Sequence, residues 1–137
     1  MTNGKSDLGT RQDIEVMVNS FYKKVNQDPL LSPVFNDVSR VDWDQHLPKM
    51  YKFWDSLIFG QATYKGNPFV VHVPLPIDFE HFDRWLELFN QNMDELFSGK
   101  VAEHTKQRAS SIAYIFQTKL TYIRNPEATH SLGPTKS

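Results

Sequence analysis

The sequence predicts an all-α domain of four main helices, interrupted in the middle by one long irregular link. Apolar side chains recur at three- and four-residue steps, the spacing of one helix face, in four segments. Those segments are 11–26, 43–59, 79–97 and 101–123. The alternation of apolar and polar residues that is typical of half-buried strands is absent. The link, residues 60–78, contains two glycines and three prolines, and a connection this long tends to be functional.

Capping and breaking residues predict where the helices begin and end. Pro48 lies inside the second segment, and proline is tolerated only in the first turn of a helix. The regular part of this helix is therefore predicted to begin at Asp44 or Gln45. Gly99 is a candidate C-cap of the third helix, because glycine adopts the left-handed conformation in which many helices end.

Composition limits the class of protein. The 137 residues fit one domain, 11–124, between predicted flexible tails at 1–10 and 125–137. With 15 basic and 16 acidic side chains, the balanced charge argues against a nucleic-acid or membrane-surface partner and fits a monomer. No signal peptide or membrane-spanning run is visible, so we expect a cytoplasmic protein. The absence of cysteine excludes disulfides, thiolate metal sites and haem attached through Cys-x-x-Cys-His.

Motifs for other chemistries are weak or missing. The sequence has no Gly-x-Ser-x-Gly turn and no glycine-rich phosphate loop. Neither His46 nor His72 has a second histidine or a glutamate beside it at the helical spacing that zinc and di-iron sites use. Nucleophilic catalysis and a carboxylate-bridged metal site are therefore poorly supported.

His72 lies in an apolar run, 69–77, that also contains Pro74 and Pro76. An imidazole on a short, stiff connector is suited to ligating haem, which needs only one strong protein ligand. The simpler interpretation of the spacing alone is a core histidine with a hydrogen-bond partner. His81, beside acidic residues at the start of the third helix, resembles a surface group but is the competing ligand candidate.

Three side chains with hydrogen-bond donors lie on the apolar faces of different predicted helices. Tyr22, His46 and Trp85 could meet over one pocket, where a phenol, an imidazole and an indole N–H would hold bound dioxygen. Each has a simpler explanation as a core residue. Their combination with His72 is what favours a haem site.

An ordered set of motifs extends over residues 12–123. The motifs occupy residues 21–25, 31–35, 43–50, 53–54, 60, 64–68, 72–77 and 81–86. In this order they resemble the truncated haemoglobins, specifically their third group. The Gly-Gly pairs usual in the other two groups are absent. The resemblance implies a two-over-two helical sandwich, a shortened globin fold.

The resemblance also implies roles for individual residues. His72 corresponds to the proximal ligand of a non-covalently held haem b, and Tyr22, His46 and Trp85 correspond to distal-pocket residues. His81 falls where the third group varies, which favours His72 as the ligand. The remaining residues implied at the haem are Phe35, Met50, Phe53 and Trp54 along the slot, and Lys49 and Tyr64 near the propionates.

The implied function is reversible binding of O2 and other diatomic gases, such as NO and CO. A pocket that hydrogen-bonds O2 strongly releases it slowly, which suits NO dioxygenase- or peroxidase-like chemistry with an unidentified reductase better than bulk transport. Whether His46 hydrogen-bonds the ligand, swings out as a gate or binds iron itself stays open. A haem-free helical interaction module, with His72 as a core residue, is the alternative.

Overall fold

A computed structural model describes residues 5–60 and 76–124, and all regular structure within these ranges is helical. The helices are α1 (Arg11–Gln27), α2 (Trp43–Phe59), α3 (Phe79–Leu96) and α4 (Lys100–Arg124), with a π-helical turn (Val34–Val38) between α1 and α2. Helix α1 packs against α2 and α3, and α3 packs against α4. The predicted all-α class is confirmed. None of the helices described is long and apolar enough to cross a membrane.

Helix α1 begins where the sequence supplies a capping box. The Thr10 hydroxyl accepts a hydrogen bond from the Asp13 backbone N–H (3.0 Å), and the Asp13 carboxylate accepts one from the Thr10 N–H (3.0 Å). The helix then buries one face, consisting of Ile14, Met17, Val18, Phe21, Tyr22 and Val25. Tyr22 therefore points into the molecule, as the periodicity of this segment predicts.

Helix α2 begins earlier than Pro48 suggests. Asp42 caps it by accepting a hydrogen bond from the Asp44 N–H (3.1 Å), and the helix starts at Trp43. Pro48, in the second turn, cannot donate to the carbonyl of Asp44. Since Asp44 is exposed, water can satisfy that carbonyl. The early start places Trp43 and His46 one turn apart on the same helix face.

The junction between α3 and α4 differs from the prediction at Gly99. The C-cap of α3 is Phe97, which is buried and whose backbone is extended. Gly99, with φ of 146°, instead leads into α4, and its carbonyl accepts a hydrogen bond from the Glu103 N–H (3.0 Å). A Cβ at this position would clash with the Asp7 carboxyl group, which is a second reason for glycine.

Residues 5–10 pack against the helices. Leu8 is fully buried, and the Asp7 carboxylate accepts hydrogen bonds from two amides at the start of α4, those of Val101 (3.0 Å) and Ala102 (2.9 Å). Burial alone would raise the pKa of Asp7, but these backbone N–H groups hold it below its usual value. Leu8 and Asp7 therefore connect this segment to the core and to the start of α4.

Buried apolar side chains form two clusters. The larger joins Leu8 to the inward faces of α1, α2 and α3. The smaller consists of Val34, Ile77, Phe82, Ala113 and Leu120. Phe35 and Trp85 are half-buried and pack against both clusters. Two residues singled out by the sequence therefore lie at the boundary between the two parts of the core.

Candidate functional site

Four rings from three segments of the chain meet at one place. Tyr22 comes from α1, Phe35 from the π-helical turn, and Trp43 and His46 from the first turn of α2. The Tyr22 centroid lies 5.3 Å from that of His46, 5.3 Å from Trp43 and 5.8 Å from Phe35. Phe35 stacks on Trp43 at 5.8 Å, and the His46 centroid is 5.4 Å from Trp43 and 6.4 Å from Phe35. We call these four side chains the ring cage.

Tyr22 brings a phenol into the ring cage. The side chain is only 7% exposed, and burial raises its pKa far above the usual value for tyrosine. The hydroxyl therefore stays protonated at physiological pH. A neutral phenol donates one hydrogen bond and can accept others, so a small ligand beside it would meet a donor.

His46 brings an imidazole to the same place. Its ring stands at 81° to that of Tyr22, and its Nε2 atom is buried. Its backbone N–H donates to the Asp42 carbonyl (2.8 Å), which fixes the residue in the first turn of α2. A neutral imidazole has one donor and one acceptor nitrogen. The cage thus holds two groups that can donate a hydrogen bond within an aromatic setting.

Among the ring contacts of residues 5–60 and 76–124, Trp85 belongs to a second group. It stacks on Phe89 at 5.5 Å and meets Phe21 edge-on at 5.6 Å, and Trp54 also stacks on Phe89 at 5.0 Å. We call Phe21, Trp54, Trp85 and Phe89 the ring stack. It joins the ring cage where Phe21 contacts Tyr22 (5.0 Å). The structure therefore brings Tyr22 and His46 into direct contact and places Trp85 on a neighbouring group of rings.

The residues that the sequence suggests along a haem slot lie at several depths. Phe35 is in the ring cage, whereas Trp54 is buried in the ring stack, with Phe53 edge-on to it at 5.2 Å. Met50 is half-buried against the larger cluster, and Lys49 is exposed. Among these five residues, and within residues 5–60 and 76–124, only Phe35 has a ring contact with both Tyr22 and His46.

His81 has a local role at the start of α3. Its Nδ1 lies 3.2 Å from the Asp78 backbone nitrogen and 3.1 Å from Asp78 Oδ1, so it accepts from the N–H or, when protonated, donates to the carboxylate. Either contact caps the helix. His72 and Tyr64 lie outside the described residues. Within residues 5–60 and 76–124, no group of three or more His, Cys, Asp or Glu could hold a metal ion.

Trp43 is the cage residue that sequence reasoning did not single out. The sequence shows it only as the first member of an apolar stripe, although its position one turn before His46 indicates a shared face. In the structure its indole N–H donates to Asn36 Oδ1 (2.9 Å). The ring is therefore held by a hydrogen bond as well as by packing.

A buried carboxylate ties the connector after α1 to α3. Asp28 is 4% exposed, and its Oδ2 accepts hydrogen bonds from the Leu30 N–H (3.1 Å) and the Leu31 N–H (3.0 Å). Its Oδ1 accepts from Arg84 Nε (2.6 Å). Burial alone would raise the pKa of Asp28, but Arg84 and the backbone N–H groups hold it below its usual value. Because Arg84 precedes Trp85, the ion pair fixes the connector against the helix that carries this tryptophan.

Comparison with known proteins places the chain in a family. Residues 6–120 match the model of a family described as bacterial-like globin. A group 3 truncated haemoglobin of Campylobacter jejuni is 32% identical, over 85% of this chain and 94% of its own length. The crystal structure of a group III truncated haemoglobin from this bacterium covers the same shares of the two chains, with a TM-score of 0.77.

Two further solved structures share the fold at lower identity. A group II truncated haemoglobin from Bacillus anthracis is 29% identical over 78% of this chain and 84% of its own, with a TM-score of 0.69. A truncated oxygen-avid haemoglobin from Bacillus subtilis is 27% identical over 80% and 93%, also with a TM-score of 0.69. The match to the Campylobacter jejuni protein confirms the resemblance to the group III truncated haemoglobins, and the chain belongs to the bacterial-like globin family.

Proposed function

We propose that this protein binds haem and, through it, small diatomic gases. Its membership of the globin family supports haem-based gas binding. The observation that carries the proposal is the direct contact between Tyr22 and His46 inside the ring cage, at 5.3 Å between centroids. Two groups able to donate hydrogen bonds are thereby placed together among aromatic rings.

The described residues fit a large, flat, apolar group. The core is divided into two clusters, and Phe35 and Trp85 present aromatic surface to both of them. The cage beside this boundary contributes a neutral phenol and an imidazole rather than a carboxylate. These groups suit a small, partly negative ligand, whereas a buried anion would repel it.

In this proposal His72 holds the iron of a non-covalently bound haem b. Haem iron held by one neutral imidazole supplies a coordination position for O2, NO or CO. His81 is the weaker candidate for this role because it falls where the third group varies, and its contact with Asp78 involves Nδ1 alone. The other residues proposed around the haem are Phe35, Met50, Phe53 and Trp54 as walls, and Lys49 and Tyr64 beside the propionates.

Tyr22 and His46, with Trp85 nearby, would hold the gas ligand by hydrogen bonds. Each such bond contributes about 1 kcal/mol, so two or three of them slow release markedly. A pocket of this kind suits NO dioxygenation or peroxide turnover, supplied with electrons by a reductase, better than bulk transport. The oxygen-avid relative from Bacillus subtilis, which shares the fold, supports a strongly binding pocket.

Visible spectra of the purified ferric and ferrous protein test the proposal. We expect a Soret band that is lost in His72→Ala and kept in His81→Ala. Added imidazole should restore haem binding to His72→Ala, which distinguishes a missing ligand from a misfolded chain. If the Soret band is lost in His81→Ala but kept in His72→Ala, His81 is the iron ligand. No Soret band after addition of hemin would favour the haem-free helical module.

A further inference from the structure

We propose that Trp43 closes a path from solvent to the ring cage, and that Asn36 is the positioning residue that holds it closed. The inference rests on the proposed function, because the molecule that would use this path is the gas ligand. It gives Trp43 a role in admitting the ligand, separate from the hydrogen bonding by Tyr22 and His46.

An open cleft of about 540 Å³ lies between α1 and α2. Its lining residues are Asn19, Tyr22, Lys23, Asn26, Gln27, Trp43, Leu47 and Tyr51. The cleft is much larger than a diatomic molecule, since the share of one water in the liquid is about 30 Å³. Tyr22 and Trp43 belong to both the cleft wall and the ring cage. A small molecule in the cleft is therefore one aromatic ring away from His46, whose centroid lies 5.4 Å from that of Trp43.

Of the two shared rings, Trp43 is the one able to move. Tyr22 is buried within α1 and packs on Phe21 at 5.0 Å, so displacing it would disturb the core. Trp43 is half-buried, is the first residue of α2, and packs on Phe35 with a ring angle of 22°. Rotation of its side chain would separate the indole from His46 without moving the helix.

Asn36 fixes the Trp43 indole from the π-helical turn. Its Oδ1 accepts from the Trp43 Nε1–H (2.9 Å), while its Nδ2 donates to Asn26 Oδ1 (2.9 Å), the Ser32 carbonyl (3.1 Å) and Ser32 Oγ (3.2 Å). Because an indole N–H only donates, the side-chain amide of Asn36 must present its oxygen to Trp43. This relay joins Trp43 to Asn26 at the end of α1, which also lines the cleft.

The relay is suited to opening. Asn26 and Asn36 are exposed, so water competes with each hydrogen bond and its net contribution is modest. The π-helical turn that carries Asn36 is a local geometry found frequently at functional sites. We therefore expect a minor open conformation of Trp43, and a rate of ligand access that scales with its population.

Flash photolysis of the CO complex of the ferrous holoprotein tests this role. Trp43→Phe and Asn36→Leu remove the same hydrogen bond, so each should speed CO association roughly 5- to 10-fold. The double variant should be no faster than either single variant. Asn36→Asp keeps an acceptor oxygen for the indole but loses the donors to Asn26 and Ser32, so its rate should lie between those of the wild type and Asn36→Leu. Additive effects of the two single variants would overturn the proposed relay.

Asn19→Leu is the matched control. It removes the hydrogen bond from the Tyr51 hydroxyl to Asn19 (2.5 Å) in the same cleft without touching Trp43. We expect its CO association rate to be unchanged. If Asn19→Leu and Asn36→Leu accelerate CO association equally, the rate depends on the width of the cleft and not on Trp43, which would overturn the proposal.

A second readout does not depend on ligand kinetics. In NMR spectra of the CO complex, the indole N–H of Trp43 should exchange with solvent faster in Asn36→Leu than in Asn19→Leu. Normal CO binding with unchanged association and exchange rates in Asn36→Leu would overturn this inference and leave the proposed function intact. A purified protein that binds neither haem nor CO would overturn both.

Discussion

The ring cage and the ring stack are built from similar side chains that pack differently. In the stack, Phe89 is fully buried and two tryptophan rings lie nearly parallel to it, at 23° and 16°. In the cage, the His46 ring stands nearly perpendicular to Tyr22 (81°) and Trp43 (83°). Trp43 and His46 are only half-buried.

This difference separates a structural group of rings from the candidate site. The parallel rings of the stack bury a large apolar area, which is the main stabilising contribution in a protein core. The cage instead contains two rings with polar atoms, the phenol of Tyr22 and the imidazole of His46, whose centroids are 5.3 Å apart. Aromatic content alone does not distinguish the two groups of rings, because the distinction depends on burial and on the polar atoms that the rings carry.

The largest expected effect is on the free energy of unfolding, when one ring of each group is removed. Phe89→Ala should lower the free energy of unfolding by about 3–5 kcal/mol, since it empties a fully buried site between stacked rings. Phe35→Ala should cost about 1–2 kcal/mol, because this ring is half-buried. Urea unfolding measures both. Equal losses would show that the cage is part of the scaffold.

The next effect concerns the joint between the two regions, the ion pair of Asp28 and Arg84. Asp28→Asn should lower stability near neutral pH by about 1–2 kcal/mol, a discounted figure because the Arg84 side chain is 38% exposed. Since the native pKa of Asp28 is lowered, its stabilisation is present above the unfolded pKa and is lost as pH falls through the native value. Urea midpoints of wild type and variant should therefore converge in acid.

Glu87→Gln is the control for this joint. It removes the exposed partner of Arg84, at 2.6 Å, and leaves Asp28 paired. Exposed ion pairs contribute little, so its free energy of unfolding should stay within about 0.5 kcal/mol of that of the wild type at every pH. If Glu87→Gln lowers the free energy of unfolding as much as Asp28→Asn does, the stabilisation comes from Arg84 and not from the buried carboxylate of Asp28.

The smallest expected effect is on the rate of O2 dissociation, and it should differ between variants of Tyr22 and Trp85. Tyr22→Phe removes the cage phenol and should speed O2 dissociation roughly 5- to 10-fold, whereas Trp85→Phe, on the neighbouring ring stack, should have a smaller effect. Because burial raises the pKa of Tyr22, its effect should be constant from about pH 6 to pH 9. Stopped-flow displacement by CO measures the rates. Unchanged rates in both variants would refute the distal assignment.

Much of the fold was predictable because helix formation is local. The three- and four-residue spacing of apolar side chains gave helix ends close to those of Arg11–Gln27, Trp43–Phe59, Phe79–Leu96 and Lys100–Arg124. Long-range contacts were not predictable in the same way. The Asp7 carboxylate caps a helix that begins more than ninety residues later, and no local pattern in a polar segment indicates that partner.

By itself the sequence determined the helices, the apolar faces that carry Tyr22 on α1 and His46 on α2, and the resemblance to a globin family. Spacing along a helix fixes which side chains share a face, and this information is local. Only the tertiary structure decided that Tyr22 meets His46 directly, that Trp85 stacks on Phe89, and that Trp43 completes the cage. These relations depend on how α1, α2 and α3 pack, and packing is set jointly by residues far apart in the chain.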